Sequence, residues 1–192
     1  MERIIVASKN SGKIREIGEI FKDKFEIVPM KDVGFDEDIE ETGNTFFENS
    51  YIKASYIAKK INENVLADDS GLCVDFLNGA PGVFSARYGG EHGNDKDNIK
   101  KLLKELEGVE ERNAKFCSSV VLFKKDGTHL EGFGETFGRI LYKEEGTHGF
   151  GYDPIFYSYD LQKSFGLATE EEKNSVSHRY RALVDLYKKL GL

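Results

Sequence analysis

The chain has 192 residues, of which 39% are hydrophobic and 32% charged, and it contains only three prolines. This composition predicts a globular fold whose core needs neither disulfides nor a structural metal. The net charge of −7 argues against a nucleic-acid partner, because such proteins usually carry a basic excess. No run approaches the roughly 18 apolar residues of a membrane-spanning helix. The N-terminal segment MERIIVASKNSGK shows no secretory signal, so we expect a cytoplasmic protein with no membrane partner.

The first third of the chain alternates strand and helix patterns. Residues 3–7 and 25–28 predict strands, and a helix between them is indicated by apolar residues at helical spacing, namely Ile14, Ile17, Ile20 and Phe21. After an acidic loop, residues 31–44, Thr45 is expected to cap a helix, with Glu48 placed as in a capping box. The residues expected to pack inward from this helix are Phe46, Ile52, Ile57 and Ile61. This βαβ alternation predicts an α/β core.

The rest of the chain predicts a longer set of strands. Residues 65–67 indicate a buried strand that ends at Asp68 and Asp69, and residues 72–77 indicate another. Two long antiparallel strands, 116–123 and 130–140, are joined by a turn at 125–128, which is typical of a hairpin. We also expect an amphipathic helix at 95–107, a short strand at 152–157 and a C-terminal helix at 177–190.

The two cysteines give little functional information in the sequence. Cys73 and Cys117 each lie in an apolar stretch and form no CxxC pair. We interpret both as small buried hydrophobic residues. The C-terminal helix is expected to bury one side, made by Tyr180, Leu183, Leu186, Tyr187 and Leu190.

The first candidate site is a polar loop between the first strand and the first helix. Its residues are Ser8, Lys9, Asn10, Ser11, Gly12 and Lys13. A loop that enters a helix N-terminus directs backbone N–H groups at one point, which favours phosphate. An ordinary polar turn is the alternative. The loop nearly matches a P-loop, but Ala7 replaces the first glycine and Ile14 stands where a metal-binding hydroxyl belongs.

The second candidate site is the pair Asp68 and Asp69, followed by Ser70 and Gly71. Successive strand residues point to opposite faces, so the two carboxylates are expected to have different roles. Together with Glu40 and Glu41 they form a set of hard oxygen ligands that suits Mg²⁺ rather than zinc. A turn built on aspartate and glycine is the alternative. No HExxH or GxSxG motif is present.

Two further segments offer contacts for a flat, anionic ligand. Phe150 stands between two glycines, where its ring can stack on a base. Lys173, His178 and Arg179 lie at or before the start of the last helix and supply several hydrogen-bond donors. Each segment also fits a purely structural role, as an aromatic turn or a surface helix start.

Six segments taken in order closely resemble the inosine triphosphate pyrophosphatase family: SKNSGK, EETGNTFFENSYIKA, LADDSGL, GAPGVFSARYGG, GFGYDPIF and SHRYRAL. The resemblance implies one ITPase-like domain over residues 1–192, of the Maf/Ham type, with an elongated mixed sheet and two lobes flanking a central substrate cleft. It also implies a homodimer. The implied reaction is the Mg²⁺-dependent hydrolysis of deaminated purine nucleoside triphosphates (ITP, dITP and XTP) to the monophosphate and pyrophosphate.

The resemblance also implies roles for individual residues. Asp69 resembles the catalytic base and a metal ligand, and Ser70 contacts substrate. Lys53 resembles a lysine near the phosphates, and both Lys53 and Asp68 are expected to be catalytic residues with Asp69. Glu40 or, with a shift of one residue, Glu41 matches the second metal ligand. Residues 8–13 resemble the triphosphate-binding loop. The remaining substrate contacts implied are Phe150, Gly151, Tyr152, Asp153, Lys173, His178 and Arg179.

Three other functions compete with this one. A pyrophosphatase for modified pyrimidine nucleotides would share the metal site, but Phe150 and the His178-Arg179 pair favour purines. A P-loop-like NTPase or kinase is disfavoured by Ile14. A nucleotide sensor without activity is disfavoured by the complete set of carboxylates.

Overall fold

A computed structural model describes residues 1–191. Over that range the chain forms one seven-stranded sheet and five α-helices. The strands are β1 Glu2–Val6, β2 Phe25–Pro29, β3 Val65–Val74, β4 Asn113–Phe123, β5 His129–Ile140, β6 Phe156–Ser158 and β7 Lys163–Ser164. The helices are α1 Ser11–Phe21, α2 Phe46–Ile61, α3 Asp95–Glu105, α4 Glu170–Val176 and α5 His178–Lys189.

The sheet is mixed, which confirms the predicted α/β class. Its strand order is β2-β1-β3-β4-β5-β6-β7. β1 pairs in parallel with β2 and β3, whereas β6 pairs antiparallel with β5 and β7. None of the helices within residues 1–191 is both long and apolar enough to cross a membrane.

The chain divides into two compact units, and three long strands contribute residues to both. The first unit contains Met1–Asp69, Ser118–Gly134 and the chain from Arg179 onward; the second contains Ser70–Cys117 and Glu135–His178. The expected lobes and central cleft stay a prediction.

The first unit buries both faces of its strands because their side chains alternate. Ile4 and Val6 face a cluster that also contains residues of α1 and α5: Ile17, Phe21, Ala182, Leu183 and Leu186. Ile5 and Ala7 face the opposite cluster, where α2 supplies Ala54, Ile57 and Ala58. Each large aliphatic or aromatic side chain buried here contributes about 1.5–3 kcal/mol of transfer free energy.

The second unit has its own core. Leu72 and Val74 of β3 pack with Ile99 and Leu102 of α3. Aromatic rings complete this cluster: Phe116, Tyr152, Phe156 and Phe165. The Phe116 and Phe156 ring centroids lie 4.6 Å apart.

The prediction that a strand ends at Asp68 and Asp69 was wrong. β3 runs without interruption from Val65 to Val74, and the expected strand at 72–77 is its second half, followed by a short 3₁₀ helix at Asp75–Leu77. Two buried carboxylates can stay inside the strand because ion pairs and hydrogen bonds compensate for their loss of water. The alternative of an Asp–Gly turn is therefore excluded.

Other element boundaries differ from the predictions. α1 begins at Ser11, and α4 and the 3₁₀ helix Gly82–Arg87 were not predicted. Most of the expected strand at 152–157 is a 3₁₀ turn, Asp153–Ile155, and β6 follows it. The expected hairpin forms, closed by a hydrogen bond from the Lys124 N–H to the Thr128 carbonyl.

The inward face of α2 was predicted only in part. Ile57 is fully buried and Ile61 packs at the edge of the core, but Phe46 and Ile52 stay half-exposed. Thr45 caps the helix as predicted, while the Glu48 carboxylate accepts from the Asn44 N–H instead of the Thr45 N–H. Small and polar residues occupy much of the inward face, including Asn49 and Ser50.

Candidate active site

The loop at residues 8–13 leads into the N-terminus of α1. The Asn10 side chain caps the helix by accepting from the Lys13 N–H, and Ser8 Oγ accepts from the Asn10 N–H. Lys9 and Ser11 are exposed. The loop therefore presents a helix N-terminus with its partial positive charge, which suits an anion.

Lys9 is paired with the acidic loop that was predicted between residues 31 and 44. Its Nζ lies 2.8 Å from Asp38 Oδ1 and donates to the Asp36 carbonyl at 2.9 Å. These contacts raise the pKa of Lys9. The side chain is exposed, so the pair adds little to stability.

Asp68 is the centre of a buried ionic cluster on the α1 and α5 side of β3. Lys13 Nζ lies 2.6 Å from its Oδ2, and Ser118 Oγ donates to Oδ1 at 2.5 Å. Arg179 joins the cluster 3.4 Å from Oδ2 and also pairs with Glu16. Burial disfavours the charged carboxylate, but Arg179 and Lys13 outweigh that effect and hold the pKa of Asp68 well below its usual range.

Asp69 points to the α2 side of β3, as strand alternation requires. It is 5% exposed, and Asn49 Nδ2 donates to its Oδ2 at 3.1 Å. Burial raises the pKa of Asp69 to about 6, against the opposing effects of Lys53 and Lys13. This carboxyl group is therefore poised to exchange a proton near neutral pH.

Lys53 connects the loop before α2 to the backbone of β3. Its Nζ donates to Glu41 Oε1 at 2.7 Å and to the Asp68 carbonyl at 2.9 Å. Burial lowers the pKa of Lys53, but Asp69 and Glu41 outweigh it, so the net shift is upward. The lysine is charged and lies among two acidic side chains and a carbonyl.

Glu41 and Asp69 offer carboxylate oxygens, the ligand type that Mg²⁺ prefers. Glu41 contributes to the raised pKa of Asp69 by charge repulsion, which a cation bound to both would relieve. Within residues 1–191 no group of three or more His, Cys, Asp and Glu side chains is arranged to hold a metal. Mg²⁺ needs fewer protein ligands, because waters and substrate phosphates complete its shell. Glu40 is exposed, whereas Glu41 is half-buried beside Lys53.

A second cluster lies in the second unit, around the buried carboxylate of Asp153. Its Oδ2 accepts from the Phe150 N–H at 2.9 Å and from Lys173 Nζ at 2.7 Å. The same Nζ lies 4.4 Å from the centroid of the Phe150 ring. The ring is half-buried and its orientation is fixed by its own backbone and by a cation.

The neighbours of Phe150 are held by contacts to other parts of the second unit. The Gly151 N–H donates to Asp95 Oδ2 at 2.8 Å. Tyr152 is a core residue, and its hydroxyl donates to the Ser85 carbonyl at 2.8 Å. His178 is 5% exposed and stacks on Phe116, with ring centroids 4.9 Å apart.

The structure thus groups the predicted residues in two sets. The first unit holds residues 8–13, Glu41, Lys53, Asp68, Asp69 and Arg179; the second holds Ser70, Phe150, Gly151, Tyr152, Asp153, Lys173 and His178.

Several residues with direct roles in these contacts were missed in the sequence, among them Ser118 on β4 and two residues on helices. Asn49 stands four residues before Lys53 on α2, and Glu16 stands three residues after Lys13 on α1. Each pair shares one helix face. A polar residue on the otherwise buried side of an amphipathic helix is the signal that identifies them.

Comparison with known proteins gives matches over nearly the whole chain. The profile of the Ham1 family matches residues 4–189. A protein of Clostridium perfringens named dITP/XTP pyrophosphatase is 46% identical, with 97% of this chain and 96% of that protein covered. A protein of the same name from Thermoanaerobacter pseudethanolicus is 50% identical, with 96% and 94% covered. The solved Ham1 protein of Staphylococcus aureus superposes with a TM-score of 0.89 at 40% identity, covering 99% of this chain and 98% of that one.

Proposed function

The chain belongs to the Ham1 family, and we propose on that premise that it hydrolyses ITP, dITP and XTP to the monophosphate and pyrophosphate. The names of the curated relatives support this substrate class. The observation that carries the proposal is the buried Asp69 carboxyl group. Burial raises its pKa to about 6, Asn49 donates a hydrogen bond to it, and the charged Lys53 opposes the shift. A carboxyl group in that state suits a general base for water.

We assign the metal to Mg²⁺, held by Asp69 and Glu41. When bound, the ion would neutralise charge on the phosphates and acidify water. Glu40 remains the second candidate for the other carboxylate. Its exposure, against the half-buried position of Glu41 beside Lys53, favours Glu41.

The remaining catalytic roles belong to side chains of the first unit. Asp69 accepts the proton of the water that attacks the α-phosphorus, while Asn49 fixes the direction of its carboxylate. Lys53 and Lys13 stabilise the negative charge that develops on the pyrophosphate leaving group. Asp68 is a positioning residue: it holds Lys13 at the helix N-terminus where residues 8–13 receive the triphosphate.

The base is assigned to the second unit. Phe150 offers its ring for stacking, with Lys173 and Asp153 fixing its orientation. Hypoxanthine and xanthine present a C6 carbonyl that accepts hydrogen bonds from His178 or pocket N–H groups, whereas adenine presents an amino donor. A donor left unpaired in a buried site discriminates strongly against adenine.

Three further assignments follow from the resemblance. We propose that residues 1–192 act as one ITPase-like domain, which the family match over residues 4–189 supports. We also propose a homodimer, checked by light scattering in solution. A cytoplasmic location follows from the substrate, because nucleoside triphosphates are made and used there.

Product analysis tests the reaction. The purified protein is incubated with Mg²⁺ and, separately, ITP, XTP, ATP and GTP. We expect monophosphate plus pyrophosphate from ITP and XTP, with ATP and GTP nearly unchanged. Diphosphate plus inorganic phosphate would mean cleavage at the γ position and would overturn the assignment. Tight ITP binding without turnover would make the protein a sensor.

A further inference from the structure

Residues 149–153 form the segment that carries Phe150, and we call it the Phe150 turn. Gly149 and Gly151 flank the ring with φ angles of +78° and +60°, in the left-handed region that favours glycine. A Cβ at Gly149 would stand 2.1 Å from Asp153 Oδ2, so a larger residue there would displace that carboxylate. Glycine adopts many backbone conformations, however, and contacts to the turn are needed to select this one.

Two consecutive N–H groups of the Phe150 turn donate to carboxylates. The Phe150 N–H donates to Asp153, three residues further on in the same turn. The Gly151 N–H donates to Asp95 Oδ2 at 2.8 Å, and Asp95 lies 56 residues earlier in the chain, at the first position of α3. The first bond closes the turn on itself, whereas the second attaches it to a helix of the same unit. A carboxylate is a stronger acceptor for such a bond than a neutral group.

The start of α3 is a well-ordered support for this contact. Asn94 caps the helix by accepting from the Asp97 N–H. One turn further on, Ile99 and Leu102 are buried in the core of the second unit. Asp95 itself is half-buried. Its carboxylate is therefore held in place by a capped and packed helix, and a backbone group bonded to it is held as well.

A favourable interaction with the helix dipole is the simpler explanation for an acidic residue at this position. Asp97 lies in the same first turn and has the same interaction, but it is exposed and bonds to Asn94 at the helix cap. The contact with the Gly151 N–H distinguishes Asp95 from it. The two aspartates are thus a matched pair for an experiment.

We propose that Asp95 is a positioning residue for the base: through the Gly151 N–H it fixes the Phe150 turn and holds the ring in the orientation that stacks. This role rests on the proposed function, in which Phe150 stacks on the base. Asp95 acts through the backbone and contacts neither base nor phosphate. Its loss therefore weakens nucleotide binding and leaves the hydrolytic groups of the first unit as they are.

Steady-state kinetics with ITP and Mg²⁺ test this role. We expect Asp95→Ala to raise KM about threefold to tenfold, up to the full loss of stacking, and to change kcat less than about twofold. Asp95→Asn keeps an oxygen that can accept from the Gly151 N–H, so its KM should stay within about twofold of wild type. Asp97→Ala should keep the wild-type KM. Equal KM values in the two alanine variants would overturn the proposal.

A double variant determines whether Asp95 acts through Phe150. If it does, Asp95→Ala should add less than about twofold to the KM of Phe150→Ala, because the ring that it positions is already absent. Multiplication of the two single effects would mean that Asp95 influences the nucleotide by another route, and it would overturn the proposal.

Hydrogen exchange followed by mass spectrometry tests the turn without any nucleotide. We expect peptides that contain residues 149–153 to exchange faster in Asp95→Ala than in wild type or Asp97→Ala. Unchanged exchange would overturn the proposal. Absence of ITP hydrolysis by wild type would overturn the proposed function instead, while faster exchange in the variant would still show that Asp95 holds the turn. If Asp95→Ala does not fold, Asp95→Ser, with its shorter side chain, takes its place in each measurement.

Discussion

Asn49 ties Asp69 to the backbone of the loop before α2. Its Nδ2 donates to Asp69 Oδ2 at 3.1 Å, and its Oδ1 accepts from the Gly43 N–H at 2.8 Å. A Cβ on residue 43 would stand 2.6 Å from the Glu48 Cβ and 2.7 Å from Asn49 Oδ1, so glycine is required there. One amide thus orients a carboxylate and holds the loop that carries Glu41.

Replacing Asn49 tests this orientation. We expect Asn49→Ala to lower kcat for ITP about tenfold or more, because the carboxylate loses the bond that fixes its direction. Steady-state kinetics with ITP and saturating Mg²⁺ measure it. Asn98→Ala is the matched control, since Asn98 is equally buried and bonds to Gly89 and Ala86 in the second unit. Equal losses of kcat in the two variants would show that Asn49 contributes to packing only and does not orient Asp69.

Asp69 is expected to lower stability at neutral pH while serving catalysis. A carboxyl whose pKa rises from 3.8 to about 6 on folding stabilises the protein fully below pH 3.8, and this contribution is lost as the pH rises through 6. As the pH rises from 4.5 to 7.5, the free energy of unfolding of Asp69→Asn should therefore increase by about 2 kcal/mol relative to that of wild type. Urea unfolding in EDTA at both pH values measures this gain. A difference between the two proteins that does not change with pH would contradict the raised pKa. The same variant should lose kcat by about 10²-fold or more.

The two adjacent glutamates can be separated by metal titration. We expect Glu41→Gln to shift the Mg²⁺ concentration for half-maximal activity upward at least tenfold, since one of two protein ligands loses its charge. Glu40→Gln is the matched control and should leave the midpoint unchanged. The reverse result would assign the ligand to Glu40.

Phe150 is expected to act on the base and not on the phosphates. Phe150→Ala should raise KM for ITP about tenfold, because stacking on an aromatic ring contributes about 1–3 kcal/mol per base. Inhibition by pyrophosphate, which has no base, should stay as in wild type. Phe76→Ala removes an exposed ring elsewhere in the second unit and should change neither value. A KM for ITP that stays at the wild-type value would reject stacking.

The buried pair of Asp153 and Lys173 should dominate local stability. Asp153→Ala leaves the Lys173 cation buried with one carboxylate fewer, and we expect a loss of about 3–5 kcal/mol in the free energy of unfolding. Urea denaturation measures it. Glu63→Ala is the control: its partner Arg3 lies 3.7 Å away at an exposed site, and its loss should be below about 1 kcal/mol. Comparable losses in both variants would contradict the buried ion pair.

The sequence predicted secondary structure correctly where an element is determined by residues close to it in the chain. The strand, loop and helix at residues 2–21 follow from a β-branched run, a capping Asn10 and the spacing of Ile17 and Phe21. The hairpin of β4 and β5 follows from the turn chemistry at residues 125–128. These features depend on neighbours a few positions away.

The pattern failed where partners come from distant segments. The DDSG segment has a local preference for a turn, and it lies inside β3 only because Lys13, Arg179 and Asn49 compensate for its carboxylates. The candidate site residues could be named from family motifs, and the separation of Asp68 from Asp69 was predicted from strand alternation. The partners of each carboxylate come from distant segments and needed the contacts.

Because β3 is continuous through Asp68 and Asp69, the effect of an insertion in this strand depends on whether it adds an odd or an even number of residues. A one-codon insertion inside the strand ahead of Asp68 would exchange the faces of the two aspartates, directing Asp69 toward Arg179 and Asp68 toward Asn49. A two-codon insertion at the same point would return each carboxylate to its own face. Functional variants of this strand should therefore be longer or shorter than wild type by an even number of residues. A one-residue insertion should be more harmful than a two-residue insertion, although it adds less chain.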